Sequence, residues 1–118
     1  MVANSEDRSK MSVKLGDNRF HTANWVRILD DGRVELELYD FSPAAEDAFG
    51  NDVAWMYRIA VADKPQLYQQ LARFTRQPVT DDPTMLAAIA SRFDDVWKLR
   101  DWLTENGIPW EKEFDSWA

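Results

Sequence analysis

Two runs rich in Val, Ile, Leu, Trp and Tyr, His21 to Leu29 and Arg33 to Phe41, flank Asp30-Asp31-Gly32, the pattern of two strands joined by a tight turn. With a three-residue loop and Gly32 in the left-handed position, Leu29 pairs with Arg33. Ile28 then faces Val34 and Val26 faces Leu36, with Leu38 on the same apolar face and Arg27 opposite Glu35 on the other. A two-residue loop would set Ile28 against Glu35 and Val26 against Glu37, so the three-residue loop is preferred because it segregates apolar from charged side chains.

Ser42-Pro43 reads as a cap followed by proline in the first helical turn, and Gly50 closes a short connecting helix. Val53, Trp55, Tyr57, Ile59 and Val61 alternate with smaller or polar residues, which predicts a third strand. Asp63 can cap a helix carrying Leu67, Leu71 and Phe74 at helical spacing, and Asp82-Pro83 starts a second with Leu86, Ile89, Ala90 and Phe93 inward. Asp94 or Asp95 can cap a third, with Val96, Leu99, Trp102 and Leu103 as its stripe and Asn106-Gly107 as its stop. A single kinked helix from Pro83 to Glu105 is the alternative. Ile108 to Phe114 alternates again and predicts a fourth strand, which Pro109 places at an edge.

This order predicts an α+β domain: an antiparallel sheet of about four strands, in the order β-β-short α-β-α-α-β, with helices packed on one face. Residues 1–11 are expected to form a disordered tail and residues 12–118 a single domain. At 118 residues, with 45% hydrophobic residues and six Trp and six Phe, the chain can bury one core. Met1 to Lys10 is polar where a signal peptide would be apolar, no long apolar run occurs and cysteine is absent, so a cytoplasmic location without membrane association is expected.

Charge changes the picture. The net charge is -7, which disfavours direct binding of nucleic acid or an anionic membrane. Between Asp30 and Tyr57 lie Asp30, Asp31, Glu35, Glu37, Asp40, Glu46, Asp47 and Asp52 against the single base Arg33, so this stretch carries the whole net charge and the remainder is balanced.

Candidate chemistry is sparse. One histidine, His21, and no cysteine cannot build a zinc site or a Cys-His dyad. Ser42 and Ser91 lie outside any nucleophile-elbow pattern, and the isolated glycines form no phosphate loop. Glu35, Glu37, Asp40 or Asp52 could serve a hydrolase or an oxygen-ligand metal site, but among 21 acidic residues such pairs arise by chance. No cofactor is therefore expected.

What remains is an acidic stretch interleaved with aromatics. Glu35, Glu37, Tyr39, Asp40, Glu46, Asp47 and Asp52 are the candidate partner-binding residues. They suit a basic protein surface, because opposed potentials speed encounter and aromatics supply contact energy. A solvated sheet face that keeps the domain soluble is the plainer alternative, and Trp117 could dock on the sheet or contact a partner.

The stretches Arg33 to Pro43, Phe49 to Val53 and Trp102 to Trp110 resemble small acidic bacterial proteins that act as immunity partners in polymorphic toxin systems. The resemblance implies a stoichiometric inhibitor that blocks a toxin domain, often a basic nuclease, and carries over no individual site residues. The leading expectation is thus a non-catalytic protein-binding domain. A small carboxylate-based enzyme or metal-binding domain, and a homo-oligomeric domain pairing through the Ile108 to Phe114 edge, stand as alternatives.

Overall fold

Gly32, at φ +92°, takes a left-handed backbone and closes the turn between the second and third strands, where its N–H donates to the Leu29 carbonyl at 2.9 Å. The Leu29 N–H donates to Arg33 at 2.9 Å, so the three-residue loop and its register form as the side-chain segregation requires. The computed structural model describes residues 11–19, 22–40 and 53–116. Within them five strands, β1 (Ser12–Arg19), β2 (Thr22–Ile28), β3 (Val34–Asp40), β4 (Val53–Ile59) and β5 (Glu111–Ser116), form one antiparallel sheet in the order β1-β2-β3-β4-β5. Helices α1 (Lys64–Thr75), α2 (Asp82–Arg92) and α3 (Val96–Glu105) lie between β4 and β5. The expected short helix after Ser42 falls outside the described residues.

The fold is α+β as expected, with one strand more than the four read from the pattern. In β1, Val13 and Leu15 pair opposite Val26 and Asn24, but the register then shifts, leaving Gly16, Asp17 and Asn18 opposite Ala23 before Arg19 meets Thr22. The bulge breaks the alternation that would have marked the strand. Gly16 is at φ +60°, and a Cβ there would lie 2.9 Å from the Asp94 carbonyl oxygen, so β1 runs against the α2–α3 connection at a distance only glycine permits.

Apolar side chains of the sheet, Leu15, Val26, Ile28, Val34, Leu36, Leu38, Tyr57 and Ile59, meet Leu67, Leu71, Met85, Ile89, Val96, Leu99 and Leu103 from the helices. Each fully buried Leu or Ile contributes about 1.5–3 kcal/mol relative to exposure. The stripes read from helical spacing are the ones that are buried, apart from Phe74 and Ala90, which are exposed, and Trp102, which is half-buried.

The continuous helix from Pro83 to Glu105 does not form. Phe93 is extended, at φ -127° and ψ 135°, and α3 restarts with Asp95 accepting from the Lys98 N–H at 3.1 Å. Asp81, and not Asp82, caps α2 in a reciprocal box with Thr84: the Thr84 N–H donates to Asp81 at 3.0 Å and the Asp81 N–H donates to Thr84 Oγ1 at 3.1 Å. Asp63 makes no side-chain cap bond, because the preceding 3-10 turn, Val61–Asp63, holds it in a helical conformation. Pro109 precedes β5, which is an edge strand as expected. No helix among the described residues is long and apolar enough to cross a membrane.

Two polar ties fasten helices to sheet. Asn24, buried on the helix side of β2, accepts the first α3 N–H, that of Val96, at 2.9 Å. Lys64 Nζ donates to the Gly32 carbonyl at 2.8 Å and pairs with Asp82 at 2.8 Å, and the Tyr68 hydroxyl donates to the same carboxylate. The turn, α1 and α2 are thereby joined through one ammonium.

Replacing Asn24 by Ala strands a buried helix N–H, and urea denaturation is expected to show a loss of about 1–3 kcal/mol. Burial, and then Asp82, raise the Tyr68 phenol above its ordinary value of 10.0. Folded Tyr68 thus keeps its proton at pH values where the unfolded chain releases it, so this contribution is complete below about pH 10 and is lost as pH rises further. Melting temperatures measured above pH 10 should fall more steeply for the native protein than for Tyr68→Phe.

Candidate protein-binding face

Alternation along each strand places a second set of side chains on the sheet face opposite the helices, and the register aligns them in rows. One row runs Ser12, Arg27, Glu35, Arg58, Glu111; the next runs Lys14, Trp25, Glu37, Met56, Glu113; a third brings Ala23, Tyr39 and Ala54 together. Charges in the first row alternate in sign from β2 to β5.

Glu35 stands on the central strand between two arginines. Its Oε1 accepts from Arg27 Nη1 at 3.0 Å and its Oε2 from Arg58 Nε at 2.9 Å. Arg27 Nη2 continues to Glu37 at 2.9 Å, and Arg58 Nη1 lies 3.5 Å from Glu113. Five side chains thus form one chain of contacts, Glu37 to Arg27 to Glu35 to Arg58 to Glu113, with three carboxylates and two guanidinium groups. Exposure grows outward, from 6% at the Glu35 side chain through 16% at Glu37 to 55% at Glu113. Burial opposes the charge on Arg27, but Glu37 and Glu35 outweigh it and hold the guanidinium above its ordinary range.

This corrects the expectation of an open acidic face in one respect. Glu35 is buried with both oxygens bonded and presents no free carboxylate. The cause is register: Arg27 and Arg58 stand directly beside it on neighbouring strands. Glu37 and Tyr39 share its face and are half-buried. Asp40, at the end of β3, falls by alternation on the helix-facing side with Leu38. Glu46, Asp47 and Asp52 lie outside the described residues, as does Trp117.

Side chains the sequence did not single out complete the face. Trp25 and Met56 flank Glu37 and are half-buried, while Glu111 and Glu113 on the edge strand are exposed. Arg58 Nη2 reaches Met56 Sδ at 4.0 Å, so the thioether lies against the ion-pair chain. Alternation in the closing strand, with Glu111 and Glu113 on one side, carried the signal for the acidic rim. The face therefore combines a rigid, largely neutralised centre, an aromatic and thioether strip, and two exposed carboxylates along one border.

Other candidate chemistry dissolves locally. Ser91 Oγ donates to the Ala88 carbonyl of its own helix at 2.8 Å, and no group of three or more His, Cys, Asp or Glu among the described residues could hold a metal ion. His21 and Ser42 lie outside the described residues.

Comparison with protein-family models, with curated proteins and with solved structures finds no match to this chain.

Glu35→Gln would turn an amide N–H₂ toward an arginine, and a loss of about 1–3 kcal/mol in chemical denaturation is expected. The same change at exposed Glu113 should stay within about 0.5 kcal/mol. Equal effects at the two positions would contradict the description of Glu35 as the buried centre.

Proposed function

We propose that this chain is a non-catalytic protein-binding domain whose sheet face opposite the helices engages a basic protein surface, in the manner of an inhibitor or immunity protein. The observation that carries the reading is the ion-pair chain centred on Glu35, which fixes side chains across three strands of a face that the helices do not use. Side chains held in place before encounter lose less conformational freedom on binding, so each contact contributes more to affinity. Trp25, Tyr39 and Met56 are the apolar contacts, and Glu37, Glu111 and Glu113 supply the negative potential. Glu35 positions the others. The charged β5 edge, with Glu111 and Glu113, disfavours pairing of two copies along that strand.

Steering by exposed carboxylates acts mainly on the association rate and weakens with salt. Proteins captured from a cell lysate by the native domain are expected to be absent with Glu111→Lys/Glu113→Lys, and a purified captured protein should be basic. Stopped-flow association with it should be at least several-fold slower for the double variant, with a flatter salt dependence. If the variant associates at the native rate, the sheet face is not the docking surface.

A further inference from the structure

The helix side of the molecule carries an exposed aromatic group with no role in the sheet face. Phe74, in the last turn of α1, is 44% exposed and, with Val61, is one of the large hydrophobic residues left exposed among those described. Its ring stacks on Phe93 at 5.8 Å and leans on Trp102 at 5.6 Å, while Phe93 meets Trp102 edge-on at 5.7 Å. Rings from α1, the α2–α3 connection and α3 thus form one cluster that reaches solvent.

Arginine borders it. The Arg92 guanidinium lies 5.6 Å from the Phe74 ring centre, and Arg73 and Arg76 are exposed at the end of α1. Among the described residues no carboxylate pairs with Arg73, Arg76 or Arg92, whereas Arg27, Arg33, Arg58, Lys64, Lys98 and Arg100 each have one. Favourable interaction of Arg73 and Arg92 with helix C-termini accounts for their placement but not for the exposed ring beside Arg92. Of the nearby charges, Asp94 and Lys98 pair with each other at 3.0 Å, and Glu105 is exposed one turn beyond Trp102.

A recess of about 260 Å³ lies between the end of α1 and α2, lined by Thr75, Pro78, Ala87, Ala88 and Ser91. Thr75 and Ser91 are the chain neighbours of Phe74 and Arg92. Its size is below that of an ordinary small-molecule cleft and suits one or two side chains.

We infer that this cluster and recess form a second docking surface, for an acidic segment of a partner protein that carries an apolar anchor. Arginine pairs with carboxylates in a planar, two-bond geometry, and arginine beside an aromatic cluster is the composition of interface centres. Charge decides between anionic partners. A chain of net charge -7 repels a long polyanion over its whole surface, while a short acidic segment meets only the local field.

The test uses the full chain and a short fluorescein-labelled peptide in which Glu and Asp alternate with Leu, Phe and Trp, read by fluorescence anisotropy. Saturable binding is expected, absent when Lys and Arg replace the peptide's acids. Arg73→Glu/Arg92→Glu and Phe74→Ser should each weaken it at least tenfold, and the milder Arg73→Gln/Arg92→Gln several-fold, with melting temperatures close to native. Lys112→Glu changes the net charge in the same direction away from the surface and should leave affinity within twofold. The inference is overturned by an absence of saturation, by equal weakening in Lys112→Glu, by tighter binding of labelled single-stranded DNA than of the peptide, or by self-association in light scattering that Phe74→Ser abolishes.

Discussion

The left-handed backbone at Gly32 sets the loop between β2 and β3, and the register that follows decides what lies on each side of the sheet. With Leu29 bonded to Arg33, Val26 meets Leu36 and Ile28 meets Val34 on the buried side, while Arg27 meets Glu35 on the other. A one-residue slip would exchange the two sets, burying glutamates beneath the helices and exposing the core. β4 continues the same rows, bringing Arg58 beside Glu35 and Tyr57 beside Leu36. The apolar core and the ion-pair chain are therefore two consequences of one turn.

Attachment of the helices depends on a few polar contacts at places where the backbone has unmet needs. Asn24 satisfies the first amide of α3 across the interface, which fixes where that helix begins relative to β2. Lys64 takes the carbonyl of Gly32 and so ties the register-setting turn to α1, while Asp82 balances the ammonium and extends the tie to α2. Gly16 lets the β1 bulge approach Asp94. These contacts add little bulk to the core, but each converts a packed layer into one with a defined position.

Much of this architecture was legible in the residues, because the β2–β3 hairpin, β4 and the three helices all follow from strict periodicity and turn chemistry. β1 was not, since the bulge after Leu15 breaks the alternation after two apolar positions and Gly16 reads as a turn signal. The helix starts were legible only to within a residue, as Asp81 and Asp82, or Asp94 and Asp95, are chemically equivalent until backbone angles choose between them. The candidate face was legible in composition but not in electrostatics. Arg27 and Arg58 both fall just outside the stretch from Asp30 to Tyr57, so a count along the chain misses the two guanidinium groups that the sheet places beside Glu35. The arginine and aromatic cluster on the helix side gave no linear signal at all, because Phe74, Arg92 and Trp102 meet only once three helices are packed.

That redistribution bears on how a face of this kind can recognise another surface. A carboxylate already bonded through both oxygens to arginines gains little from a third cation, and drawing it away would leave Arg27 with Glu37 alone and Arg58 with Glu113 alone, each half-buried with one carboxylate fewer. On the proposed reading, attraction at a distance must therefore come from the exposed border at Glu111 and Glu113, while the centre contributes shape. Among the described residues, Arg73, Arg76 and Arg92, which have no carboxylate partner, lie on the helix layer. Exposed carboxylates thus stand along one border of the sheet and exposed guanidinium groups at the C-terminal ends of α1 and α2. Such a molecule presents different charge to different approaches despite its net acidity, and on the proposed reading it is this difference that would turn a basic surface toward the sheet before contact.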